Sequence, residues 1–170
     1  MTKKLTAKAK KAIRVCKDVI ANLRSRKLQA AQGIYVSQDV SDAITEIDQD
    51  EVSLQKVLKK WRKPRRQCQV CALGSLFISK VDRYNKCNVS PWDVLSPYGI
   101  EFNKQLSEIF SREQQSMIES AFETEPGEKY WDPECAIGKA IEFGAKYKNP
   151  TTKLIAIMNN IIKNGGTFKP

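Results

Sequence analysis

The chain contains no histidine. That absence removes imidazole acid–base catalysis, the Ser-His-Asp and Cys-His nucleophile pairs, and histidine-ligated zinc. A metal would need cysteine or carboxylate ligands alone. Other chemistries lack their motifs. No Asp or Glu has Lys two places on, as metal-dependent nucleases of the restriction type require. No glycine-rich loop precedes a helix, since Gly165-Gly166 follows the last helical pattern. Ser53-Leu54-Gln55-Lys56 fits S-x-x-K, but the S-D-N and K-T-G companions of that enzyme class are missing, and Ser53 reads as a helix cap. The most apolar run, Val70 to Ile78, is about half of what a bilayer span needs. Met1-Thr2-Lys3-Lys4 is not followed by an apolar signal region. Five cysteines, an odd number, fit reduced thiols. The expectation is a soluble cytoplasmic protein without a membrane partner, catalytic residues or cofactor.

What is present is an uneven charge. The formal net charge is +10, and all of it lies in residues 1–66, which carry 17 Lys and Arg against seven acids. Residues 67–170 carry 12 of each sign. At 170 residues, with 41% hydrophobic and 28% charged residues, the chain suits one compact globular domain. Its basic and acidic N-terminal helices (1–66) would pack on charge-neutral core helices (67–170).

Residues 8–28 read as a helix with an apolar stripe of Ile13, Cys16, Ile20 and Leu23. Lys10, Arg14, Lys17 and Arg24 form a basic rim beside the stripe, and Gly33 is the expected stop. Ile34-Tyr35-Val36 is a short strand or extended connector. Residues 39–51 hold six acids and no base, an acidic helix or loop that offsets its basic neighbours. Glu51 to Lys63 has a clear helical pattern, with Leu54, Val57, Leu58 and Trp61 on one face. Lys56, Lys59, Lys60 and Lys63 lie opposite, and Arg65 and Arg66 extend the patch past Pro64. The central apolar helix spans Cys68 to Tyr84, where Gly74 and Ser75 would admit a neighbouring backbone. Residues 85–100 form a connector in which Trp92 and Tyr98 pack down.

Four helix starts follow. Glu101 opens a short helix to Phe110, and Ser111 with Gln114 makes a capping box. Asp132-Pro133 and Asn149-Pro150 each pair a cap residue with a first-turn proline. The last helix stops at Asn164-Gly165-Gly166. The Tyr35 region and Thr167-Phe168 are the only strand-like segments. The fold class is all-α: a single compact domain of six or seven helices with at most a short strand pair.

Cys68-Gln69-Val70-Cys71 is a C-x-x-C, with Cys87 and Cys135 the remaining candidate ligands for a metal. The second close-spaced pair of a zinc ribbon is missing, and so is the βαβ setting of a redox dithiol. Buried thiols in a helix are the favoured reading, against zinc and redox. Cys71-Ala72-Leu73-Gly74 is echoed by Cys135-Ala136-Ile137-Gly138, which suggests two helices needing small residues at a tight crossing. Cys71-Ala72-Leu73-Gly74-Ser75-Leu76, together with Leu154-Ile155-Ala156-Ile157-Met158 and the Asn164-Gly165-Gly166-Thr167-Phe168 ending, resembles a loosely defined group of small phage and bacterial proteins. Those share a Cys-Ala-Leu-Gly-Ala-Leu-type helix and have no assigned function. The resemblance implies a mobile-element origin and transfers no active site.

The basic patch is the remaining candidate, set against a merely solvated face. Lys10, Arg14, Lys17, Lys56, Lys59, Lys60, Arg62, Lys63, Arg65 and Arg66 would bind nucleic acid, or an acidic nucleic-acid-handling protein. Base stacking is not evident, because Trp61 is on the apolar side of its helix. The alternatives are a protein–protein inhibitor or adaptor using the aromatic residues of 85–132, and a small enzyme that needs no histidine.

Overall fold

The computed structural model describes residues 4–37, 52–53, 55–56, 67–84, 88–89, 99–125 and 132–170. Among them are six α-helices: α1 (Ala7–Arg24), α2 (Ala72–Tyr84), α3 (Ile100–Ser107), α4 (Arg112–Glu123), α5 (Ala136–Ala145) and α6 (Pro150–Lys163). Four short strands accompany them: β1 (Leu28–Ala30), β2 (Val52–Ser53), β3 (Cys68–Val70) and β4 (Asn88–Val89). β1 and β3 pair in parallel with Leu28 opposite Cys68, and β2 and β4 pair antiparallel. The molecule is all-α with small strand pairs.

α2 occupies the centre. Every residue from Ala72 to Val81 is buried, as its near-continuous apolar sequence requires. It packs on α1, α3, α4 and the β1–β3 pair, while α1 also lies along α6 and α4 along α5. The aromatic centre is built from Phe77 against Phe102, whose ring centroids are 4.9 Å apart, and Tyr35 edge-on to Phe102 at 6.0 Å.

Several element boundaries differ from the sequence reading, each for a local reason. α1 stops at Arg24 rather than running to residue 28. A Schellman turn ends it: Arg26 N–H donates to Leu23 and Lys27 N–H to Asn22, with Arg26 in the left-handed region at φ 57°. Gly33 therefore does not stop the helix but serves the turn after β1. The buried stripe is also rotated: Ala12, Val15 and Val19 join Cys16, Ile20 and Leu23, while Ile13 is half-buried. The strand expected near Tyr35 is β1 instead, with only Val36 bridging to Val70. Cys68–Val70 is a strand rather than the first turn of α2, and it carries β-branched Val70 between β1 and that bridge. Val52 and Ser53 are likewise strand residues, paired with Val89 and Asn88, so the helical pattern does not begin at Glu51. The acidic segment 39–51, most of the helix expected over 51–63, and Trp92, Tyr98, Tyr130 and Trp131 lie outside the described residues.

Helix starts follow capping chemistry. Thr6, Ser111 and Asn149 each accept a hydrogen bond from the backbone N–H three residues on. The Cys-Ala-Leu-Gly echo has the same cause, with sulfur in place of oxygen. Cys71 Sγ accepts from Gly74 N–H at 3.3 Å, and Cys135 Sγ from Gly138 N–H at 3.2 Å. The motif therefore marks two helix N-termini and not two helix crossings. Asp132 does not cap α5 directly: its carboxylate accepts from Glu134 N–H, and the cap falls on Cys135.

A side chain on Gly74 would put Cβ 1.6 Å from the Tyr35 carbonyl oxygen, and one on Gly144 would put it 1.8 Å from that of Ala121. Backbone touches backbone at both places. At the end of α6, Gly166 N–H donates to Ile161 and Gly165 N–H to Ile162, a second Schellman turn. The tail beyond it is held by side-chain amides acting as strand partners. Gln114 donates to the Phe168 carbonyl and accepts its N–H, and Asn160 does the same for Lys169.

Cations gather at the C-terminal end of α3, where the helix dipole favours them. Glu108, just past α3, holds Lys11 and the buried Lys80, and the first of these does most to keep its carboxyl below the ordinary range. A depressed carboxylate stabilises the fold above its unfolded titration range and loses that contribution as pH falls through its folded one. Glu108→Gln is expected to cost about 1–2 kcal/mol at neutral pH, discounted because Glu108 is half in solvent. Denaturant titration should show the gap to wild type closing as the medium becomes acidic. Gly74→Ala and Gly144→Ala should each cost about 2–4 kcal/mol, since the obstacle is backbone rather than a movable side chain. A melting temperature unchanged in either glycine variant would contradict the described contacts.

Candidate polyanion-binding face

α1 has two faces of opposite character. Positions 10, 14, 17 and 24 fall on one side of a 100°-per-residue helix, opposite the buried Ala12, Val15, Cys16, Val19, Ile20 and Leu23. All four outward residues, Lys10, Arg14, Lys17 and Arg24, are exposed. They extend over about 21 Å of axis.

The other charges of α1 are already engaged. Lys8 Nζ donates to the Ser107 carbonyl at 3.0 Å, and Lys11 reaches Glu108. The helix's one acid, Asp18, is gripped by the Arg83 guanidinium, with Nη2 at 2.6 Å from Oδ1. Among the described residues, Lys10, Arg14, Lys17 and Arg24 have no carboxylate partner. The structure thus divides the basic residues of α1 into inward ones that tie it to α3 and outward ones that face solvent.

Of the second basic segment, Lys56 is described and exposed. Its neighbour Gln55 donates through Nε2 to the Asp82 carbonyl at 2.8 Å, one residue from the Arg83 that holds Asp18. This chain of contacts anchors the start of the segment to the end of α2 and, through it, to α1. Lys59, Lys60, Arg62, Lys63, Arg65 and Arg66 lie outside the described residues.

The thiols offer no assembled centre. Among the described residues no group of three or more Cys, Asp or Glu is placed to hold a metal, so Cys68, Cys71 and Cys135 do not form one. Cys87 lies outside the described residues. Cys68 is buried in β3, where its sulfur accepts from the Ser37 hydroxyl at 3.7 Å. Burial pushes the Cys71 thiol up to about 12 against the opposing pull of the helix-start amides, and burial raises Cys16 as well. Cys135 is half-buried rather than fully enclosed, because it caps a helix beside the surface residues Asp132–Glu134.

Sequence reasoning missed a group around Tyr35. Tyr35 donates its hydroxyl to Glu119, Gly33 N–H donates to Glu123 at 2.7 Å, and Gln32 Nε2 donates to the Phe122 carbonyl at 2.7 Å. The one available signal was the i, i+4 spacing of Glu119 and Glu123, a pattern shared by most solvated helix faces. Comparison with protein-family models, curated proteins and solved structures finds no match for this chain.

Alkylation under native conditions is expected to label Cys135 well before Cys71 and Cys16, with the latter two reacting only on unfolding. Peptide mass spectrometry over a time course reads the order, and early labelling of Cys71 would contradict its burial.

Proposed function

We propose that this protein is a non-enzymatic binding protein that docks on the phosphate backbone of nucleic acid through the outer face of α1. The observation that supports this is the row Lys10, Arg14, Lys17 and Arg24, exposed and without described carboxylate partners along one helix side. Phosphates along one strand of a duplex advance about 3.4 Å of axis each, so a row of about 21 Å matches the axial rise of roughly six of them, of which those on the near side of the duplex come within reach. Such contacts neutralise phosphates and release condensed counterions, and they require no base-specific reading. Exposed Lys56, next to the Gln55 that is anchored at Asp82, is a further cation available to a polyanion.

The test is fluorescence anisotropy on duplex DNA and RNA across a salt series, comparing wild type with Lys10→Gln/Arg14→Gln/Lys17→Gln. These side chains contribute nothing described to the core, so the triple variant should fold normally. Wild-type affinity should fall steeply with salt, and the variant's log–log slope should be shallower by about 2–3, at about 0.9 per phosphate contact. Equal slopes would remove α1 from the interface. Loss of an acidic protein partner, with no change toward nucleic acid, would replace the proposal with protein docking driven by on-rate.

A further inference from the structure

A cleft of about 160 Å³ opens between the Tyr35 loop, α2, α3 and α4, and no described part of α1 lines it. Its floor is apolar, from Leu73 and Phe102. One wall is a single face of α4, where Arg112, Gln115, Ser116 and Glu119 recur at i, i+3, i+4 and i+7.

The hydrogen-bonding capacity of that wall is unspent. Arg112 has no carboxylate partner and Glu119 no cationic one among the described residues, although both line the same cleft. The two do not neutralise one another, because seven residues of helix separate their Cα atoms by about 10.5 Å of axis. The Ser116 hydroxyl has no described hydrogen bond either. Gln115 is only 8% exposed, and its Nε2 donates to the Phe110 carbonyl at 3.3 Å. That bond fixes the amide's orientation and leaves Oε1 as a buried acceptor without a described donor, a costly arrangement for a bare protein. Glu119 accepts a hydrogen bond from the hydroxyl of Tyr35, which lines the same cleft, so its carboxylate is positioned before any ligand arrives.

We propose that this cleft binds a small bipolar molecule of the dipeptide class. The order along the wall matches such a ligand: a carboxylate on Arg112, an amide N–H on Gln115 Oε1, an ammonium on Glu119. An aliphatic side chain would rest on Leu73 and Phe102. A single amino acid has its two charges one carbon apart and reaches only one end of the wall. A nucleotide or drug-sized ligand needs a pocket of roughly 300 Å³ or more, about twice this volume. Guanidinium–carboxylate pairing at one end and carboxylate–ammonium pairing at the other supply the discrimination.

The experiment is a titration of the isotope-labelled full chain with glycyl-leucine and the other glycyl dipeptides, followed by amide chemical shifts. N-acetyl-glycyl-leucine, glycyl-leucinamide and leucine serve as comparators. Saturable shifts are expected at residues 112–119 and around Leu73 and Phe102 for at least one dipeptide below about 10 mM. Blocking either terminus should weaken binding about tenfold or more. Arg112→Gln should abolish the preference for a free carboxylate while keeping that for a free amine. Glu119→Gln, which still offers Tyr35 an acceptor, should do the reverse. Absence of saturable shifts with every dipeptide, or equal binding of free and blocked forms, would overturn the proposal. So would variants that lose both preferences together, since that would report a general loss of structure.

Discussion

The Tyr35 carbonyl rests against Gly74, in the first turn of the most buried helix, at a distance that no larger residue permits. From that contact the loop reaches outward to α4. Gln32, Gly33 and Tyr35 each hydrogen-bond a residue of its last two turns, and the Tyr35 ring sits edge-on to Phe102 of α3. Three helices are therefore positioned by one short stretch of chain between β1 and Val36. The wall formed by Arg112, Gln115 and Glu119 inherits its geometry from the same stretch, because Tyr35 fixes one end of it.

Buried lysines show how the molecule uses charge inside. Lys80 and Lys153 are 1% and 3% exposed. Lys153 lies at the end of α4, 3.4 Å from the Phe122 carbonyl and 3.5 Å from Glu125, where the helix dipole and an open carboxylate both favour a cation. Lys80 lies at the end of α3 with Glu108 and Gln105. Lys8 and Lys11 reach the same end from α1. Helix C-termini draw in part of the basic excess, and what remains on the outer side of α1 is exposed.

The helices were legible in the sequence because their signals are local. Ser111 and Asn149-Pro150 mark starts, and Gly165-Gly166 marks a stop, through bonds made within a few residues. The strands were not legible. Leu28–Ala30 and Cys68–Val70 pair across some forty residues, and nothing in either triplet distinguishes it from a helix edge. Arg26 in a left-handed turn has no signature, since glycine is the usual marker there. The basic row on α1 could be read directly from its spacing. The cleft could not, because Tyr35, Phe102 and Glu119 meet only through tertiary structure and none belongs to a motif.

The seam between α1 and α6 also bears on how the chain reaches its native state. The apolar side of α1 is covered in large part by a helix that comes well over a hundred residues later, and Gly166 at the end of that helix closes against the Ala9 backbone. α1 also packs on α2, but the side of it that meets α6 stays uncovered until α6 is made. Contacts of such long sequence separation slow folding, because loop-closure entropy is spent before they form. The polar amides of Gln114 and Asn160 fasten the tail by its backbone at Phe168 and Lys169, so the chain beyond α6 is latched by hydrogen bonds.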